Sequence, residues 1–170
     1  MLYDLTVVQF SKMLTNLNAM LTTGDLYAKD KGFDMSVLLN SRLAPDQFPL
    51  GRQVQVACDT AKLCVARLVN QFDSAPKHAD GDASLEELQT RISDVITYLS
   101  GFSREDFEGA DNVAITRDRW EGKYLTGREF AVNNAIPNLY FHITTAYAIL
   151  RHNGVALGKK DYLGPMPFKQ

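Results

Sequence analysis

Asn138 and His142 stand four residues apart in the segment 127–154. At 3.6 residues per turn, that spacing puts both side chains on one face of a helix. An imidazole beside an amide can hold a metal ion, orient a small ligand or, with the imidazole as base, move a proton. With His142 as the reference direction, Asn138 lies about 40° away, Thr145 about 60°, Ile149 about 20° and Ala146 about 40°. Ala135 and Ala131 continue the same line toward the start of the segment. This stripe is apolar enough to point inward, and its alanines leave room beside the polar groups. A buried Asn and His must find hydrogen-bond partners or a ligand. Two readings are open: a satisfied network that locks helix register, or a polar pocket between helices that takes a ligand.

The remaining histidines do not join this pair. His152 lies about 15 Å farther along the helix axis, next to Arg151 at a helix end where cations favour the dipole. His78 falls in a stretch rich in Pro and Asp and is expected to be solvated. A three-histidine metal site is therefore excluded. Cys58 and Cys64 are six positions apart in one expected helix and point in different directions, so they do not bridge each other. Both read as buried core thiols, and nothing adjacent to Cys58 would lower its pKa to make it a nucleophile.

The elements that would position these groups are helical. Val7, Phe10, Leu14, Leu17 and Leu21 alternate spacings of three and four and predict a helix over residues 4–30, with Gly24 weakening its second half. Asp34 reads as the cap of a short helix carrying Val37, Leu38 and Leu39. A second long helix should open near Pro49, bury Leu50, Val54, Ala57, Ala61, Cys64 and Leu68, and end near Phe72. Residues 73–83 read as a surface loop. Ser84 and Glu87 form a capping box for a third helix with Leu85, Leu88, Ile92, Val95 and Leu99 inward and Gly101 as its stop. Residues 103–126 lose the helical period. Val113, Ile115, Arg117 and Arg119 alternate, Glu121-Gly122 can turn, and Tyr124 and Thr126 continue, which predicts a small β-hairpin. Thr126 and Glu129 form a second capping box; Pro137 should kink the fourth helix and Gly154 should end it. The tail, 155–170, reads as irregular. The expected fold is all-α: a single domain over 1–170, a four-helix bundle with a short extra helix and the hairpin before the last helix.

Bulk properties narrow the function. The chain has 170 residues, 45% of them apolar, and 18 Lys and Arg against 20 Asp and Glu, for a net charge of −2. A pI near 5.9 argues against a nucleic-acid partner. No apolar run approaches the ~20 residues of a membrane span, and residues 1–10 carry no basic start followed by an apolar run. With two unpaired thiols, these features lead to the expectation of a cytoplasmic protein with no membrane partner.

The stretch Pro137-Asn138-Leu139-Tyr140-Phe141-His142, continuing to Arg151-His152-Asn153-Gly154, resembles a small bacterial family, a domain of unknown function, within the DinB/YfiT-like superfamily. So do Leu43-Ala44-Pro45-Asp46-Gln47-Phe48-Pro49-Leu50, Arg52-Gln53-Val54-Gln55 and Asp59-Thr60-Ala61-Lys62. The resemblance covers nearly the whole chain. It implies up-down-down-up connectivity and often a homodimer. Superfamily members typically hold a divalent metal through one histidine of the second helix and a His-x-x-x-His pair of the fourth, and some are thiol-dependent transferases or isomerases. On that pattern Asn138 and His142 fall on the fourth-helix pair, and Gln55 falls near the second-helix histidine. Two of the three positions thus carry amides, which are poor ligands for zinc or nickel.

The helical wheel sets Gln55 on a polar face with Arg52, Asp59 and Lys62, where solvation is the simpler reading. Asp59 could approach the site and add the missing charge. The expected function is a polar pocket around His142, with Gln55, Asp59 and Asn138, that binds a small ligand with weak or no metal. The alternative is a divalent-metal-dependent or thiol-transferase-like enzyme, with His142 as ligand or general base. The hairpin residues Arg117, Asp118, Arg119, Trp120 and Glu121 would then cover an end of the pocket or join a dimer contact.

Overall fold

The computed structural model describes residues 1–169; Gln170, the last residue of the tail, lies outside the described residues. Helix α1 (Gln9–Lys31) follows directly on a wide π-type turn at Asp4–Val8. Val7, Phe10, Leu14, Leu17 and Leu21 are all buried, as their spacing requires. Gly32 ends α1 with φ +75°, the left-handed conformation that glycine adopts without cost. Gly24 does not interrupt the helix. It marks a close approach instead, because a Cβ there would come 2.9 Å from Leu150 Cδ2.

The N-cap of the short α2 (Ser36–Leu39) is Met35, and Asp34 stands one residue earlier, where its Oδ1 accepts from the Ser36 N–H at 2.8 Å; the helix buries Leu38 and Leu39. Helix α3 (Leu50–Leu68) starts after Pro49 and stops short of Phe72. The chain turns through Asn70 at φ 54°, and Phe72–Ser74 forms a separate 3-10 turn. Helix α4 (Leu85–Ser100) opens on its capping box, with the Ser84 N–H donating to Glu87 Oε2 at 2.7 Å and the Glu87 N–H to Ser84 Oγ at 3.2 Å. Gly101 follows it with φ −75°, so α4 ends without the left-handed glycine that the sequence suggested.

Strands β1 (Ala114–Thr116) and β2 (Tyr124–Thr126) pair antiparallel with Ile115 opposite Leu125. The hairpin is shorter than the alternation implied: Arg117 leads into a 3-10 turn at Asp118–Trp120, and Glu121 and Gly122 take positive φ. Helix α5 (Gly127–Phe130) carries the second capping box. It runs through a wide π-type turn at Ala131–Ala135 into α6 (Ile136–His152). The wide turn sits just before Pro137, whose ring cannot fit a regular α-helical interior. The tail is not wholly irregular. Helix α7 (Lys159–Leu163) forms where the Gly158 N–H donates to Asp161 Oδ2 at 2.7 Å, and it packs on α1, with Asn16 Nδ2 donating to the Tyr162 carbonyl at 3.0 Å.

The described residues are thus mostly helical with one two-stranded sheet. Helix α3 packs on α4 and α6, and α1 packs on the same two helices, around one apolar core. None of the described helices is long and apolar enough to cross a membrane. Cys58 and Cys64 are buried and unpaired.

Candidate functional site

His142 is 7% exposed and its Nδ1 lies 2.7 Å from Gln53 Oε1. The amide orientation is set from behind, because Gln53 Nε2 donates to the Phe48 carbonyl at 2.9 Å. His142 therefore carries its proton on Nδ1 and leaves Nε2 as a bare acceptor. Burial, with a smaller push from the Arg52 guanidinium, holds the imidazole below its ordinary pKa, so it is neutral near pH 7. Thr145, on the same stripe, donates to the Phe141 carbonyl at 2.7 Å. Most of the inward stripe is buried, namely Ala131, Ala135, His142, Thr145, Ala146 and Ile149, whereas Asn138 is only half-buried.

Gln55 is not part of this pair. It is buried, 1% exposed, yet it serves the 73–83 loop: Nε2 donates to the Gly81 carbonyl at 2.8 Å and Oε1 accepts from Arg52 Nη1 at 3.0 Å. Two residues along a helix is a rotation of about 200°, so Gln53 and Gln55 cannot face α6 together. The second-helix position opposite His142 is occupied by Gln53. The sequence contained a signal for it: Gln53 is three residues after Leu50 and four before Ala57, on the apolar stripe itself.

Asp59 is also engaged elsewhere. It pairs with Lys62 at 2.9 Å and with Arg91 at 2.8 Å. Arg91 continues to Asp80 and to the Ala79 carbonyl, and Lys62 donates to the Pro76 carbonyl at 2.7 Å and to His78 Nδ1 at 3.0 Å. His78 Nε2 faces Asp94 Oδ2 at 3.3 Å. The 73–83 segment is accordingly stitched to α3 and α4, and His78 is held in that seam by Lys62 and Asp94, with its side chain 15% exposed and not free in solvent. Cys58, beneath it, has its thiol pushed up to about 12 by burial, which leaves no nucleophilic thiolate.

Asn138 is bonded to a different residue of α3 from His142. Its Nδ2 donates to Thr60 Oγ1 at 2.7 Å, which ties α6 to α3 one turn along α6, and about two turns along α3, from the Gln53–His142 bond. Beyond Asn138 opens a cleft of about 820 Å³ between α3, the hairpin and the start of the α5–α6 rod. Its described walls include Asp59, Thr60, Asn134 and Asn138, but not His142 or Gln53. Val56, Leu63, Ile115 and Phe130 supply apolar surface. Arg67, Arg117 and Arg119 supply cationic surface. Arg117 lies against both Trp120 and Phe130, 5.3 and 5.2 Å from the ring centroids, and its Nη2 donates to Asn134 Oδ1 at 3.0 Å. Arg67 lies 4.5 Å over the Phe72 ring. Arg117 and Arg119 were visible as hairpin residues. Arg67 gave no sequence signal, because only the folded chain brings the end of α3 beneath the hairpin.

The side chains around His142 do not fit a divalent metal of the DinB type. One imidazole is present where three are needed. Gln53 Oε1 is taken by His142 itself, and Asn138 is turned to Thr60. Among the described residues, no three His, Cys, Asp or Glu side chains come together as a ligand set.

Comparison with known proteins follows the same outline. A family model described as a domain of unknown function, DUF1993, matches residues 2–163. The chain is 65% identical to a DinB family member protein from Shewanella denitrificans, known from its crystal structure, over 100% of this chain and 96% of that chain, with a TM-score of 0.97. No protein with a curated description matches.

Proposed function

We propose a small-molecule binding function for this chain, which belongs to the DUF1993 family of domains of unknown function. The observation that carries the reading is the cleft beside Asn138. It has the volume of a small-ligand site, an apolar floor, and a few convergent polar groups in Thr60, Asn134 and Asn138. His142, expected at the centre of such a site, supports it from behind: its bond to Gln53 fixes the α3–α6 spacing on which the Asn138–Thr60 bond depends.

In the same reading the chain is one domain, and its four long helices run up, down, down and up. The supporting pairs are Gln9 with Tyr140, Gln89 with Thr22, Arg91 with Asp59, and His142 with Gln53. They agree with α1 parallel to α6, α3 parallel to α4, and the two sets opposed. A cytoplasmic location and a homodimer belong to the proposal too. Two buried free thiols agree with the first, and sedimentation of the purified protein tests the second.

One observation favours the alternative, a DinB-like enzyme: the neutral His142 keeps an Nε2 lone pair outside the hydrogen-bond network. A ligand-observed NMR screen of small aromatic and aliphatic fragments separates the two. Binding that is lost in Asn138→Leu and kept in His142→Gln supports the cleft reading. Stoichiometric zinc or nickel in untagged protein that disappears in His142→Ala would overturn it in favour of the metal-dependent enzyme.

A further inference from the structure

The cleft holds an imbalance that the binding proposal does not explain. Arg67, Arg117 and Arg119 all line it, and no carboxylate among the described residues pairs with any of them. Four other cations on the body of the fold, Arg52, Arg91, Lys62 and Arg104, each meet an aspartate. Two acids do line the cleft. Asp59 is already neutralised by Lys62 and Arg91, and Asp118 lies on the exposed 3-10 turn. The cleft wall is therefore cationic in a protein whose net charge is −2.

The arginines are also held in place. Arg117 is held against two aromatic rings with one nitrogen on Asn134, and its Nε is buried with no hydrogen-bond partner among the described residues. A buried guanidinium N–H without an acceptor is costly, and such a group in a native protein calls for an explanation. Arg67 is set over Phe72, with a single 3.3 Å bond from Nη1 to the Leu63 carbonyl. Desolvation, and then the neighbouring positive charges, depresses both: Arg67 feels Arg117, and Arg117 feels Arg119. Three guanidiniums gathered at one opening repel one another, and a bound anion relieves that repulsion. Guanidiniums match planar or tetrahedral oxyanions through paired N–H donors.

We infer that the cleft binds a small organic oxyanion, a carboxylate or phosphate, with its charged end among Arg67, Arg117 and Arg119 and an apolar body against Leu63, Ile115 and Phe130. This rests on the reading of the cleft as a ligand site and names its ligand class. Arg119 is exposed and closes on the charged end from solvent, while Arg117 and Arg67 form the fixed cradle.

The test uses the full chain and three matched probes, phenyl phosphate, 4-phenylbutyrate and the neutral 4-phenylbutanol, titrated by calorimetry and ligand-observed NMR. Binding by either anion, weakening as salt is raised, supports the inference, and which anion binds separates phosphate from carboxylate. Arg67→Gln and Arg119→Gln should each weaken that anion by about tenfold to a hundredfold. Because Arg117 packs on two rings, Arg117→Lys is compared with wild type by thermal melting first; Arg119→Gln, at an exposed position, keeps the test independent of folding. If phenylbutanol binds as well as the anions and the arginine variants bind unchanged, the oxyanion inference is overturned and the cleft remains a ligand site. If none of the three binds, the binding reading fails with it.

Discussion

Gln53 and His142 form a buried side-chain bond across α3 and α6, 2.7 Å long, whose direction is dictated by the Phe48 carbonyl behind Gln53. Removing either partner strands a polar group in the core. Gln53→Leu should cost about 1–3 kcal/mol, because the His142 N–H loses its acceptor and the Phe48 carbonyl its donor. His142→Leu should cost a similar amount. The double variant should be less destabilised than the sum, with a coupling of about 1 kcal/mol or more. Urea unfolding of the four proteins measures it; additive effects would mean that the two side chains do not act as a pair.

The same bond sets a pH dependence. The ordinary histidine value is 6.5, and burial holds His142 below it in the folded chain. The unfolded state therefore takes up the proton first as pH falls. Stability from this group is fully present above 6.5 and is lost as pH falls from there through the folded-state pKa. Wild-type protein should lose stability across that window. His142→Gln, which keeps a polar group but cannot titrate, should be flatter there. Urea midpoints taken between pH 7.5 and 5.5 check it, and equal slopes in the two proteins would assign the loss to other groups.

Much of the fold could be read locally, because helices and their caps are written in neighbouring residues. Ser84 with Glu87 and Thr126 with Glu129 are capping boxes wherever the rest of the chain goes. The apolar stripes of α1, α3 and α6 needed only their spacing. Sequence and structure part where the deciding partner is distant. The resemblance points to Gln55 and passes over Gln53, because the alignment of α3 against α6 is a tertiary fact. His78 looked solvated because its partners, Lys62 and Asp94, lie on two different helices. The cationic cleft was hidden for the same reason: Arg67 and Arg117 are fifty positions apart, and only the turn after α3 and the hairpin bring them to one opening. In α7 a local signal did exist, in Gly158 and Asp161, and the glycines and prolines around it masked it.

Arg91 is the centre of the seam that holds the 73–83 segment. It is 4% exposed and binds Asp59, Asp80 and the Ala79 carbonyl. Breaking a fully buried ion pair costs about 3–5 kcal/mol. Asp59 is 27% exposed and keeps Lys62 as a partner, so Arg91→Met should cost less, about 2–3 kcal/mol. The segment should also open locally before the helices do. Limited proteolysis reads this directly: the variant should be cut within 73–83 under conditions that leave the wild type intact. Cleavage at the same rate in both would show that Lys62 and Gln55 hold the segment without Arg91.

Cys64 lines the cleft and is 1% exposed, and Cys58 lies at 0% beneath the seam. Burial pushes both thiols from 9.0 to about 12. For Cys64 the nearby Arg67 and Arg117 pull the other way, but desolvation is the larger effect. The reactive form of a thiol is the thiolate, so neither should react with a disulfide reagent in the native protein at pH 8. In urea both should react at once. Native labelling should then proceed only through unfolding, and Arg91→Met, by lowering stability, should speed it for both cysteines together. A different pattern carries its own meaning. Rapid labelling of Cys64 alone in wild type, abolished by Cys64→Ala, would show that the cleft admits the reagent and that its arginines stabilise a thiolate, and the site would then have to be reconsidered as one for thiol chemistry.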